Sequence, residues 1–205
     1  MVTRQIAHLR PEQVLEEMRR CPLAYLPIGP LEWHGPHLPL GVDALNAENA
    51  ALLAAARTGG LVLPTLYWGT ERERDAQMLD WLGLGSQSYV VGMDFPANSL
   101  ASMYCSEEVL ALLVREQLRL ALRMGFRLVV LVTGQGDEQV AVAALKAGAA
   151  DYLVKQSDYL HRLPVVIKNA LAQNNYKHEQ AEKIEAQARY QSLVEQTPAV
   201  VFLDS

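Results

Sequence analysis

Three short runs of uninterrupted apolar residues, each stopped by glycine or proline, constrain this chain most. Leu23 to Ile28 closes on Gly29 and Pro30, Leu61 to Leu63 on Pro64, and Leu128 to Val132, the apolar body of a strand read over Phe126 to Val132, on the turn Thr133-Gly134-Gln135-Gly136. Runs with no polar alternation do not suit a face in water, so they read as buried strands, the last as one covered on both faces of a parallel sheet. Helical text lies between them. The alanine-rich stretch from Ala44 stops at Thr58, Gly59 and Gly60, and a second helix starts at the N-cap Ser106, with Glu107 and Glu108 in its first turn, and ends at Gly125. Further on, a helix over 137–147, a strand over 152–154 and a helix over 160–171 continue a βαβα alternation. That order predicts a layered α/β fold. Residues 67–106, punctuated by Gly69, Gly83, Gly85, Gly92 and Pro96, read as loops, some of them covering a site.

Composition narrows the function classes. The 205 residues are 50% hydrophobic and 20% charged, which excludes disordered and collagen-like chains. A net charge of −5 offers no general basic field, so neither nucleic acid nor an anionic membrane surface is expected as a partner. No apolar stretch is long enough to span a bilayer. The first twenty residues carry four arginines and three glutamates and no apolar signal core, so the chain reads as complete at its start. Cys21 and Cys105 are lone thiols rather than a disulfide framework, which points to the reducing cytoplasm.

The residues richest in chemistry follow the first strand: Glu32-Trp33-His34-Gly35-Pro36-His37-Leu38-Pro39-Leu40-Gly41-Val42-Asp43. Glu, His and Asp are metal-ligand types, and here they sit in a loop stiffened by proline and glycine at the carboxyl end of a strand, where open α/β sheets place their sites. Two readings stay open on the residues alone: a cation site, or polar side chains on a proline-rich turn. Trp33, Tyr67 and Trp68 are candidates to line a small-molecule pocket or simply to pack. The run Glu71 to Asp75 reads as a solvated, self-neutralising loop.

The string LPIGPLEWHGPHLPLGVD resembles the first signature of the creatininase (creatinine amidohydrolase) family, Glu-x-His-Gly-x-His-Leu-Pro-Leu followed by an Asp. The resemblance is dense there and extends more loosely over residues 1–134. It implies a three-layer α/β/α fold with a mainly parallel sheet. The activity implied is metal-dependent hydrolysis of amide C–N bonds in small molecules, by a two-metal site of Zn or Mn and often in a homo-oligomer. Carried over by position, Glu32 binds one metal, His34 the other, and Asp43 bridges them, while His37 is supporting; no further catalytic residue is assigned.

The family's second signature, Asn-Gly-His followed by Glu or Gly-Asn, is altered. Gln135 stands at the histidine position, and a neutral amide oxygen is a poorer ligand than imidazole for such metals. Asp137 is a candidate ligand in place of the family's glutamate, or else a first-turn acid of the following helix. From 128 to 172 the text resembles the second half of a response-regulator receiver domain, with Thr133 and Lys155 at the positions that contact a phosphorylated aspartate; the acceptor itself is missing. Residues 189–205 resemble the opening of a PAS domain. The expected organisation is a creatininase-like domain over 1–134, lacking its last part, a receiver-like half over 135–172 continuing the same sheet, a connector helix over 173–196 and a PAS-like end over 197–205. Two functions follow: an amidohydrolase, impaired if the altered ligand motif is not compensated, or a signalling fragment without a phosphoacceptor. A fusion of the two is the third possibility.

Overall fold

The computed structural model describes residues 3–85, 87–134 and 159–196. β1 (Leu23–Ile28) is the middle strand of a three-stranded parallel sheet, flanked by β2 (Leu61–Val62) and β3 (Leu128–Thr133). β1 and β3 pair from Leu23↔Leu128 to Ile28↔Thr133 without a slip, so their carboxyl ends emerge side by side at Gly29 and Gly134. Every residue of β1 is buried, as its unbroken apolar sequence requires.

Helices cover both faces. Leu23 and Tyr25 pack with Ala47, Ala50, Ala51, Ala54 and Ala55 of α2 (Val42–Thr58), whose small side chains let the helix lie close to the sheet. The alternate residues Ala24 and Leu26 face the other way, toward Met18 and Val14 of α1 (Pro11–Arg20), and Ala121 of a later helix joins them. α3 (Ala76–Trp81) is a short helix in the irregular region, and α4 (Glu107–Met124) buries Leu110 and Val114 beside Ile28. α5 (Tyr159–Gln196) returns to the α2 face, where Ile167 is buried and Leu171 packs against the same cluster. The three-layer α/β/α architecture with a parallel sheet and a C-terminal helix is therefore present.

Several expectations are corrected. α1 was not legible as a helix; Pro11 at its first position and the Gln13 side chain accepting the Arg10 N–H at 3.0 Å are what begin it. Residues 67–106 are not all loop, because Asp75 caps α3 by accepting the Met78 N–H at 2.8 Å. The charged run before it is tied down as well, through a Glu73–Val91 bridge and an Arg74 Nε–H donated to the Gly92 carbonyl at 3.0 Å. β3 is buried only at Val132 and half-buried elsewhere, since β1 and not β3 is the central strand of the described sheet. The helix over 160–171 and the connector over 173–196 are one continuous helix that includes Pro164. The expected helix over 137–147 and strand over 152–154 lie outside the described residues, as does the PAS-like end from 197 onward. Cys21 and Cys105 are both free thiols. No described helix is long and apolar enough to cross a membrane.

Candidate metal centre

The loop leaving β1 is shaped by its own backbone. Gly29 N–H donates to the Leu66 carbonyl at 3.0 Å, Glu32 N–H donates to Leu40 at 2.8 Å and Val42 N–H to Pro39 at 3.1 Å, closing residues 32–40 into a loop that re-enters at α2. Gly35, with φ +85, takes the left-handed turn inside it. α2 then begins, which places Asp43 in its first turn, where unpaired N–H groups favour a negative charge.

Two glycines seat that first turn on the sheet. A β-carbon on Gly29 would lie 2.6 Å from the Ala44 nitrogen, and one on Gly134 would lie 2.1 Å from the Asp43 carbonyl oxygen. Neither distance admits a side chain, so the ends of β1 and β3 touch the backbone of Asp43 and Ala44 directly.

Glu32, His34 and Asp43 converge: each offers one ligand atom, and these atoms all lie within 4.8 Å of one another. His34 Nε2 is 3.5 Å from Asp43 Oδ2 and 3.8 Å from Glu32 Oε2. Glu32 and Asp43 are only 4% and 6% exposed, so this is no solvated turn. His34 Nδ1 lies 3.1 Å from the Glu32 carbonyl oxygen. An Nδ1–H donated there leaves the Nε2 lone pair facing two carboxylates, an arrangement that needs a positive charge between them. Burial pushes the Glu32 carboxyl up to about 7; Tyr104 and His34 pull it down and the neighbouring Asp43 raises it further. One imidazole and two buried carboxylates, short of positive charge, make a donor set that fits a divalent cation of the Zn or Mn type.

His37 is exposed, its ring 3.0 Å from where a β-carbon on Gly35 would sit, and it stands outside this cluster. Thr133 ends β3 opposite Ile28. Gln135, Asp137 and Lys155 lie outside the described residues. Tyr67 and Trp68 are partly exposed, and a β-carbon on Gly41 would meet the Tyr67 ring at 3.0 Å, so that ring covers the entry to α2. Tyr104 was missed by the sequence reading: its hydroxyl donates to Glu32 Oε1 at 2.8 Å across 72 positions of sequence. Burial raises its phenol well above the ordinary value, so the oxygen keeps the proton it donates.

A parallel α/β/α sheet with an acidic and imidazole cluster at its carboxyl edge is the class of protein defined here. The chain belongs to the creatininase family, whose profile, described as creatinine amidohydrolase, matches residues 7–193. A Thermotoga maritima protein named 3-dehydro-scyllo-inosose hydrolase is 23% identical over 134 residues, 65% of this chain and 36% of that one. A shorter stretch of 50 residues is 48% identical to the Methanogenesis regulatory protein FilR1 of Methanothrix harundinacea, covering 24% of this chain and 11% of that protein. Among solved structures, one titled as the Mn creatininase superposes with a TM-score of 0.54 at 22% identity, covering 71% of this chain and 51% of that chain. A mutant creatininase of Zn–Zn type gives 0.53 at 24%, covering 72% and 52%. At these identities the superpositions establish the shared fold. The chain spans about half the length of the creatininase structures and 36% of the Thermotoga protein. The family match runs through residues 128–172, and the comparisons lend the receiver and PAS readings no support as domains.

Proposed function

We propose that this chain is a metal-dependent hydrolase that cleaves the amide C–N bond of a small molecule, with Glu32, His34 and Asp43 holding the ion. The observation that carries this reading is the convergence of those three donors, both carboxylates buried, beside the ends of β1 and β3. The creatininase structures titled as Mn and Zn–Zn forms support one of these metals as the ion. A bound divalent ion supplies Lewis-acid polarisation of the carbonyl and lowers the pKa of water. The residues of the chain do the rest. Asp43, carried on the rigid start of α2, and Glu32, pinned at its N–H by Leu40, present carboxylate oxygens from opposite ends of one loop. His34 turns Nε2 toward both through its Nδ1 contact with the Glu32 carbonyl.

Gln135 and Asp137 complete the ligand set in this reading, with Asp137 as the ligand and Gln135 supporting; the missing imidazole weakens the second metal position more than the first. His37 remains supporting. The division proposed from the sequence, a creatininase-like body over 1–134 with 135–172 as its continuation and 173–196 as a connector, is kept in this reading. The buried contact of Ile167 with the α2 face supports α5 as part of the same body as β1 and α2. Thr133, a strand position paired with Ile28, has a structural role in this reading.

Metal content after loading with Zn²⁺ or Mn²⁺, followed by ring opening of creatinine and of simple lactams to their linear acids, tests the reading. Binding that is lost in Glu32→Gln and His34→Ala supports it; a wild-type chain that takes up neither ion at micromolar concentration refutes it.

A further inference from the structure

The two oxygens of Glu32 meet different neighbours. Oε2 faces His34 Nε2, while Oε1 accepts the Tyr104 hydroxyl at 2.8 Å. Tyr104 is itself fixed by its surroundings. Its oxygen accepts the Met93 N–H at 3.2 Å, and the segment around it is stitched to both sides of Glu32. Met103 N–H donates to the Leu31 carbonyl at 2.8 Å, and Ser102 Oγ accepts the Trp33 N–H at 2.8 Å. Ser102 N–H in turn donates to Asp94 Oδ1 at 2.8 Å, and Cys105 N–H to Gly69 at 2.9 Å. Gly92 has φ +55, and a β-carbon there would sit 2.5 Å from the Tyr104 oxygen. The backbone thus takes a conformation suited to glycine at the position where any side chain would displace the hydroxyl.

We propose that Tyr104 is a positioning residue of the cation site: by occupying Glu32 Oε1, its hydroxyl makes Glu32 a single-oxygen ligand through Oε2 and fixes that oxygen against His34 and Asp43. This rests on the cation-site reading above. A carboxylate ligand with both oxygens free rotates and closes onto an ion through either or both, whereas an outer hydrogen bond removes that freedom before the ion arrives. The loop from Gly92 to Tyr104 is then part of the site although it supplies no ligand.

Cobalt(II) serves as the probe, because its visible absorption reports coordination directly. In the full chain, Tyr104→Phe keeps the ring and removes one oxygen, so the metal-free far-ultraviolet spectrum is expected to stay as in the wild type, with a modestly lower melting temperature from the two lost hydrogen bonds. Its cobalt affinity is expected to fall about 10-fold or more, and its absorption band to change in position and intensity. Gly92→Ala crowds the same hydroxyl from the other side and is expected to shift affinity and band in the same direction, which serves if the phenylalanine variant does not fold. Cobalt affinity and spectrum equal to wild type in either folded variant overturns the proposal while leaving the cation site standing, provided Glu32→Gln abolishes binding. No cobalt uptake by the wild type overturns both.

Discussion

His34 Nε2 and Asp43 Oδ2 lie 3.5 Å apart although the first belongs to the loop after β1 and the second to the opening turn of α2. The pairing brings an imidazole to a carboxylate that is itself buried beside another carboxylate. Without an ion, that pocket concentrates negative charge where water does not screen it. Asp43→Asn removes one charge while keeping nearly the same shape. It is expected to raise the metal-free stability by about 1 kcal/mol, or roughly 2–4 °C in melting temperature for a domain of this size. Zn²⁺ affinity should fall at the same time. Thermal melts with and without Zn²⁺ check both signs, and a loss of metal-free stability would count against the charge argument.

The glycine seats make a second expectation. Gly29→Ala and Gly134→Ala each force a β-carbon into the backbone of Ala44 or Asp43, which a flexible side chain cannot relieve. Each is expected to cost about 1–3 kcal/mol in urea unfolding. Gly85→Ala, where a β-carbon meets nothing within 4 Å, should stay within about 0.5 kcal/mol of wild type.

Glu17 sets the acid limb of stability near the N-terminal end. Burial raises its carboxyl, but the Arg20 hydrogen bond, the Gly60 N–H and the charges of Arg4 and Arg20 outweigh it, leaving the group below its ordinary 4.5. Arg4 Nη1 and Arg20 Nη2 both reach Glu17 Oε1 at 2.5 Å. A depressed folded pKa means that the contribution is complete above pH 4.5 and is lost as the pH falls through the lower folded value. Glu17→Gln is therefore expected to lose about 1–2 kcal/mol at pH 7. The gap to wild type should close progressively below about pH 4.5; a gap independent of pH from 3 to 7 would contradict the assignment.

α5 divides into a packed and a solvated half. Ile167 is 2% exposed within the α2-side cluster, while Ile184 is 68% exposed on the same helix. Ile167→Ala is expected to cost about 2–4 kcal/mol, and Ile184→Ala under about 0.5 kcal/mol. Equal effects at both positions would mean that the helix does not dock as described.

How much of this was readable in advance follows from the range of the interactions. β1, α2 and α4 were legible because their signals are local: an unbroken apolar run stopped by Gly29 and Pro30, an alanine-rich stretch ended by Gly59, and a Ser106 cap with Gly125 at the far end. The loop from Glu32 to Asp43 was legible for the same reason, since all three donors fall within a dozen residues. Tyr104 was not, because its hydrogen bond spans 72 positions and its segment carries no periodic pattern. α5 shows how composition misleads in a specific way. The shift to polar residues after Ala172 marks where the helix leaves the core rather than where it ends. α1 was obscured by its charge, with Val14 and Met18 giving too thin an apolar stripe to announce a helix.

The contact of Gly29 and Gly134 with the first turn of α2 has a mechanical consequence. A helix whose opening turn rests on two strand ends cannot slide along its axis or tilt without parting from one of them. The aim of the Asp43 carboxylate is thus inherited from the hydrogen-bonded register of β1 and β3, which moves far less than any loop. Of the three donors, Asp43 is the one seated on the strand ends, while Glu32 and His34 belong to the loop, so remodelling of that loop would retune the cluster around the Asp43 anchor.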